Sequence, residues 1–153
     1  MSKLFRCGYS GGKGGKDFSD DDKVKLSENN IKINQIGVKS DKVVDSLCIT
    51  YGLNNEESVT GERHGDENGD LDIFNLDEKE YITKISGRFG GMIDSLEIVT
   101  NLGSKKRYGG KGGFADFEYE APNNYQIIGF YGRAGWHIDA IGVIFKSLDD
   151  ANV

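Results

Sequence analysis

Three aspartates, Asp45, Asp94 and Asp139, stand at the same point of three similar segments of this 153-residue chain. The segments are DKVVDSLCIT (41–50), GGMIDSLEIVT (90–100) and GWHIDAIGVIF (135–145). In each, the Asp precedes a small residue, an aliphatic residue and then alternating apolar positions. A glycine phrase, GGKGG, occurs at 11–15 and again at 109–113. An ionised Asp is acceptor-only, with about four lone-pair sites on its two oxygens. A loop without side chains presents backbone N–H donors beside it. One carboxylate and a few fixed amides complement two neighbouring hydroxyls and a ring oxygen, as a hexopyranose offers at O4, O6 and O5. Charge-assisted O–H···O⁻ bonds are the strong ones.

The third segment has the spacing Gly135-x-x-x-Asp139. The glycine is expected to let the backbone turn tightly. The amides of Trp136 and His137 then point into the space beside Asp139. Gly14 and Gly15 approach from a neighbouring turn, where a Cβ would take the ligand's place. Trp136 or His137 covers an apolar ring face. Gly90-x-x-x-Asp94 repeats the spacing, with the second GGKGG to face it. Position 41 is Asp rather than Gly, so Asp45 reads as satisfying its own turn amides.

Other chemistries find little support. Glycoside hydrolysis needs two carboxylates, about 5–5.5 Å apart for retention or about 6.5–9.5 Å for inversion, and each repeat offers one recurrent Asp. No nucleophile elbow is present, and His64 and His137 have no evident Ser or Cys partner. No catalytic residue, metal or cofactor is expected. Cys7 and Cys48 form no CxxC pair and fall at strand-like positions, which predicts buried free thiols.

The net charge of −6 and pI near 4.9 argue against nucleic acid as a partner. Lys13, Lys16, Lys105, Lys106, Arg107 and Lys111 nevertheless gather in or beside the glycine phrases. They support an alternative reading, binding of an anionic polysaccharide or mineral surface. No apolar run is long enough to span a bilayer, so membrane insertion is not expected. The N-terminus, MSKLFRCGYSGG, lacks a signal-peptide core. The chain as it stands reads as cytoplasmic, and a secreted mature form would read the same.

The elements that must position these residues are strands. Leu47, Ile49 and Tyr51 alternate beyond Asp45, as do Leu96, Ile98 and Thr100 beyond Asp94, and Ile141, Val143 and Phe145 beyond Asp139, the pattern of half-buried strands. Further strands are expected at 3–8, 31–39, 58–62, 70–74, 81–88, 106–109, 113–119 and 125–132. Turn clusters at 27–30, 54–55 and 122–124 punctuate them. The aspartates lie 49 and 45 residues apart, about four strands per unit. Abundant glycine (22 residues) with a single proline fits many turns between ordered strands. Three four-stranded units about a pseudo-threefold axis form a prism, the N-terminal strands completing the C-terminal unit. A β-sandwich and a small propeller are the alternatives.

These motifs carry a family resemblance. GGKGGKDFSDD, VVDSLCITYG, ITKISGRFGGMIDSLEIVTN, YGGKGG and IIGFYGRAGWHIDAIGVIF span nearly the whole chain and resemble the jacalin-related lectins. The resemblance implies an all-β, β-prism I fold of three four-stranded antiparallel sheets, one lectin domain over 1–148, and a short tail at 149–153. It implies metal-independent sugar binding without catalysis. The implied primary site is Gly14, Gly15, Gly135, Trp136, His137 and Asp139. The galactose-binding branch of the family is cut at the first glycine loop. Here Gly14-Gly15-Lys16 runs unbroken, which implies mannose- or glucose-containing glycans as partners.

Threefold logic predicts a second site at Gly112, Gly113, Gly90, Gly91, Met92 and Asp94. It also predicts a vestigial third, in which the Asp45 loop faces Gly61 to Asp66 with Glu62, Arg63 and His64 in place of a double glycine. Shallow pockets of this kind gain avidity from several sites, so a homo-oligomer, a dimer in particular, is expected.

Overall fold

The computed structural model describes residues 2–53 and 57–148; the tail expected at 149–153 lies outside the described residues. The strands are β1 (Leu4–Gly11), β2 (Lys16–Ser19), β3 (Lys32–Ser40), β4 (Val44–Gly52), β5 (Ser58–Thr60), β6 (His64–Gly65), β7 (Asp70–Asn75), β8 (Ile82–Phe89), β9 (Ile93–Thr100), β10 (Lys105–Gly109), β11 (Ala115–Glu120), β12 (Tyr125–Ala134) and β13 (Ile138–Ser147). All pairings are antiparallel, and they fall into three similar groups. The first runs β1-β13-β12-β2 and the third β10-β9-β8-β11. The second runs β4-β3-β7, with β5 and β6 together flanking β4 as one interrupted strand. A single register position, Ile127 opposite Ile82, links the first and third groups.

Each group is therefore a hairpin (β12–β13, β8–β9 or β3–β4) flanked by two outer strands. The outer strands are joined by a loop that crosses the hairpin's turn: Gly11–Gly15, Gly109–Gly113 and the stretch 65–69. The N-terminal strands do complete the C-terminal unit.

The core follows the alternation in the sequence. Val44, Ile93 and Ile138, one residue before each Asp, are fully buried. So are Leu47, Ile49, Tyr51, Leu96, Ile98, Ile141 and Val143, with Thr100 and Phe145 nearly so. Burying each large aliphatic side chain contributes about 1.5–3 kcal/mol before conformational entropy is subtracted.

Polar contacts close the three seams between groups. Between the first and second, the Asp20 carboxylate bonds His64 Nε2 at 2.6 Å and accepts the Phe130 N–H at 2.7 Å, while Phe18 stacks on the His64 ring. Tyr51 O–H donates to the Ile128 carbonyl across the same seam. Between second and third, Asp72 accepts from Tyr108 at 2.8 Å and Lys106 at 3.1 Å. These hydrogen bonds, Tyr108 foremost, hold the Asp72 carboxyl below its ordinary range. Between third and first, the Tyr119 and Ser10 hydroxyls lie 2.6 Å apart.

Several expectations need correction. Cys7 is exposed because β1 is an outer strand whose middle residues face away from the core, and Cys48 is only half-buried because it falls on the outward positions of β4. Two strands were missed, β2 and β6. β2 reads KDFS, with one apolar residue in four, and β6 is two residues long, so neither has a period to detect. Asp20, in the acidic stretch after β2, begins a short 3-10 turn and is buried against His64.

Candidate functional site

All three aspartates lie at the same end of the prism, one residue into the second strand of each hairpin. Each hairpin closes with the same backbone bond. Gly135 N donates to His137 O at 3.0 Å, Gly90 N to Met92 O at 3.0 Å, and Asp41 N to Val43 O at 3.1 Å. The crossing loop then docks on the aspartate's own carbonyl. Gly12 N donates to Asp139 O at 2.8 Å, Gly110 N to Asp94 O at 2.9 Å, and Asp66 N to Asp45 O at 3.1 Å. The loop facing Asp45 is thus Gly65-Asp66-Glu67-Asn68-Gly69, not the Gly61-to-Asp66 stretch expected. Both terminal glycines keep the positive φ of their counterparts: +99° at Gly65 against +90° at Gly109 and +134° at Gly11, and +89° at Gly69 against +92° at Gly113 and +71° at Gly15. The Glu62-Arg63-His64 stretch lies before the loop, where His64 belongs to the seam.

The glycines have two roles, and one differs from expectation. Gly135 and Gly90 are outside the left-handed region, and Asp41 makes the same turn, so the turn itself does not demand glycine. What glycine permits is close approach. A Cβ on Gly14 would stand 2.8 Å from Asp139 Oδ1, and one on Gly15 2.6 Å from Oδ2. The matching distances are 2.7 Å from Gly112 to Asp94 Oδ1 and 3.0 Å from Gly113 to Oδ2. On the opposite wall, a Cβ on Gly135 would stand 3.9 Å from Asp139 Oδ2, and one on Gly90 3.8 Å from Asp94 Oδ2. A side chain at 14 or 112 would therefore collide first with the carboxylate, before any ligand.

Most of the expected residues are brought together. Gly14, Gly15, Gly135 and His137 surround Asp139, and Gly112, Gly113 and Gly90 surround Asp94. Trp136 stands at the tip of the first turn, 81% exposed. His137 is partly exposed beside the carboxylate, its Nε2 3.1 Å from Asp139 Oδ1. Gly91 lies at the rim, against Gly12 of the first loop. Met92 is half-buried and contributes its carbonyl to the turn.

The sequence reading missed a set of basic residues. Arg133 donates from Nε to Gly14 O at 3.0 Å and from Nη2 to Gly15 O at 2.7 Å, and its Nη1 bonds Asp17 Oδ1 at 2.7 Å. Arg88 holds the second loop by one carbonyl, Gly113 O at 3.1 Å, and bonds Asp116 Oδ1 at 2.7 Å. Lys39 reaches only Glu67 O, at 3.3 Å. Each stands six residues before its aspartate, a regularity visible in the aligned repeats. By holding the loop carbonyls on the outer side, the cation fixes the peptide planes at the pocket.

Burial pushes the Asp45 carboxyl above its ordinary range; His137 opposes this, and neighbouring Asp41 and Asp66 reinforce it. Among the described residues, no cluster of His, Cys, Asp and Glu suits a metal ion.

Comparison with known proteins agrees with this architecture. The model of the jacalin-like lectin domain matches residues 7–144. Horcolin from Hordeum vulgare is 34% identical over 148 residues, covering 93% of this chain and 97% of that protein. The structure of artocarpin complexed with methyl α-mannose superposes with a TM-score of 0.80 at 26% identity, covering 97% of this chain and all of that one. The mannose-binding lectin from Champedak gives 0.79 at 29% identity, covering 95% and 98%. The chain belongs to the jacalin-like lectin family and has its β-prism I fold: it is a carbohydrate-binding protein, not an enzyme.

Proposed function

We propose that the chain is a metal-independent lectin of mannose/glucose type, with two sugar sites, at Asp139 and at Asp94. The observation that carries the two-site reading is the near-identity of the two pockets. Both set a carboxylate between a double glycine and a turn glycine at matching distances, with an arginine clamping the loop from behind. In each, the carboxylate accepts from two adjacent sugar hydroxyls, and loop and turn amides donate to sugar oxygens. The mannose/glucose preference is supported by the unbroken first glycine loop, by the similar Champedak lectin, named mannose-binding, and by artocarpin, whose structure holds methyl α-mannose.

Titration calorimetry with methyl α-mannoside, galactose serving as control, tests this. Two mannoside equivalents per chain are expected for the wild type and one for either Asp139→Asn or Asp94→Asn. Unchanged stoichiometry in Asp94→Asn would remove the second site. The exposed Phe5 and Tyr9 on outer strand β1 offer a surface for dimerisation, which sedimentation analysis would reveal.

A second reading has its own support. Lys13, Lys16 and Lys111 are exposed at the mouths of the two glycine loops. An anionic polysaccharide or mineral surface held there would bind with steep salt dependence and without competition from mannoside.

A further inference from the structure

We propose that Phe114 makes the Asp94 pocket an extended site, one that prefers an oligosaccharide whose neighbouring ring can lie on its aromatic face. The inference rests on the second sugar site proposed above.

Phe114 directly follows Gly113, the last residue of the second glycine loop, and is 81% exposed. Its backbone is fixed, since its N–H donates to Phe89 O at 3.1 Å. The ring leans toward Gly90 on the opposite wall, where a Cβ would meet it at 3.0 Å. That same Cβ would be 3.8 Å from Asp94 Oδ2, so ring and carboxylate flank one glycine. Phe89, with ring centroids 6.5 Å away, backs it from the sheet. A phenylalanine this exposed gains little from burial, so core packing does not account for it. An apolar ring beside a carboxylate suits a sugar, which presents hydroxyls to one and C–H bonds to the other.

The equivalent positions make the contrast. After Gly15 comes Lys16, and after Gly69 comes Asp70. The Asp139 pocket instead carries its exposed aromatic, Trp136, on the turn, where the Asp94 pocket has Gly91 with nothing within 4 Å of a notional Cβ. The two pockets thus share a polar floor and present their aromatic faces from opposite walls. They read different neighbours of the bound hexose.

The test isolates each pocket by inactivating the other. Methyl α-mannoside and a branched mannotriose are titrated into Asp139→Asn and into Asp94→Asn, each with and without Phe114→Ala. In Asp139→Asn, Phe114→Ala is expected to lower the trisaccharide-to-monosaccharide affinity ratio about three- to tenfold, the scale of one aromatic stacking contact. In Asp94→Asn it is expected to leave the ratio unchanged, and Trp136→Ala to lower it. If Asp139→Asn binds methyl α-mannoside but its ratio does not respond to Phe114→Ala, this inference fails while the second site stands. If Asp139→Asn binds no mannoside, both fail together.

Discussion

The Asp139 and Asp45 loci have the same backbone and different linings. Both have the hairpin bond, the loop amide on the aspartate's carbonyl, and left-handed glycines at the loop. At Asp139 the loop is Gly12-Lys13-Gly14, clamped by Arg133 through two carbonyls of the double glycine. At Asp45 it is Asp66-Glu67-Asn68, held by Lys39 on the Glu67 carbonyl, by Arg63 on the Glu67 carboxylate, and by Asp66 accepting from Glu67 N and Asn68 Nδ2. The strand leading into the third loop is committed elsewhere, because His64 is drawn into the seam by Asp20 and Phe18. The difference teaches that the prism preserves loop geometry whatever side chains line the loop. On the proposed two-site reading, the few side chains added to or withheld from that geometry decide binding.

The comparison can be broken most forcefully at the seam. His64→Ala leaves Asp20 buried beside an empty space, which should cost about 3–5 kcal/mol, as removal of one partner of a buried pair does. Urea unfolding measures it, and a loss below about 1 kcal/mol would mean that the third outer strand has no special structural duty. The next largest effect concerns the carboxylates. Asp139→Asn should weaken mannoside binding at its pocket by about 1.5–3 kcal/mol, or roughly 10- to 150-fold. Asp45→Asn should leave both affinity and stoichiometry unchanged in the same calorimetric titration; a lost equivalent there would make the third locus a true site.

Removing the clamp is a smaller perturbation. Arg133→Ala should weaken methyl α-mannoside at the Asp139 pocket by about 1–2 kcal/mol by loosening the loop amides. Lys39→Ala should have no effect on sugar binding, and amide exchange in both loops would show whether the clamp orders them. The smallest expected effect is electrostatic. The folded Asp45 carboxyl holds its proton more tightly than the unfolded one. Its contribution is therefore complete below the unfolded pKa and is lost as pH rises through the folded value. Asp45→Asn should lack this decline and be slightly more stable than wild type at pH 7, as thermal melts across the acidic range would record.

Much of the fold was legible because alternation is a local property. The positions two, four and six beyond each Asp are all buried, and the repeat spacing reports the unit length directly. The double glycines and the Gly-x-x-x-Asp spacing were equally legible. β2 and β6 were not, since short polar segments become strands only when a partner's edge supplies their hydrogen bonds. The buried Asp20 lay hidden in an acidic run of ordinary appearance, and its partner His64 is 44 residues away.

By itself, the sequence determined the strands, the three aspartates and the glycines, because each expresses a local rule of periodicity or backbone freedom. Only the tertiary structure decided which loop faces which aspartate, and that His137 engages Asp139. The placing of Arg133, Arg88 and Phe114 at the pockets was decided there too. Except for the local His137–Asp139 pair, those relations join strands distant in sequence, and they are fixed by closure of the three sheets around one core rather than by any residue's own preference.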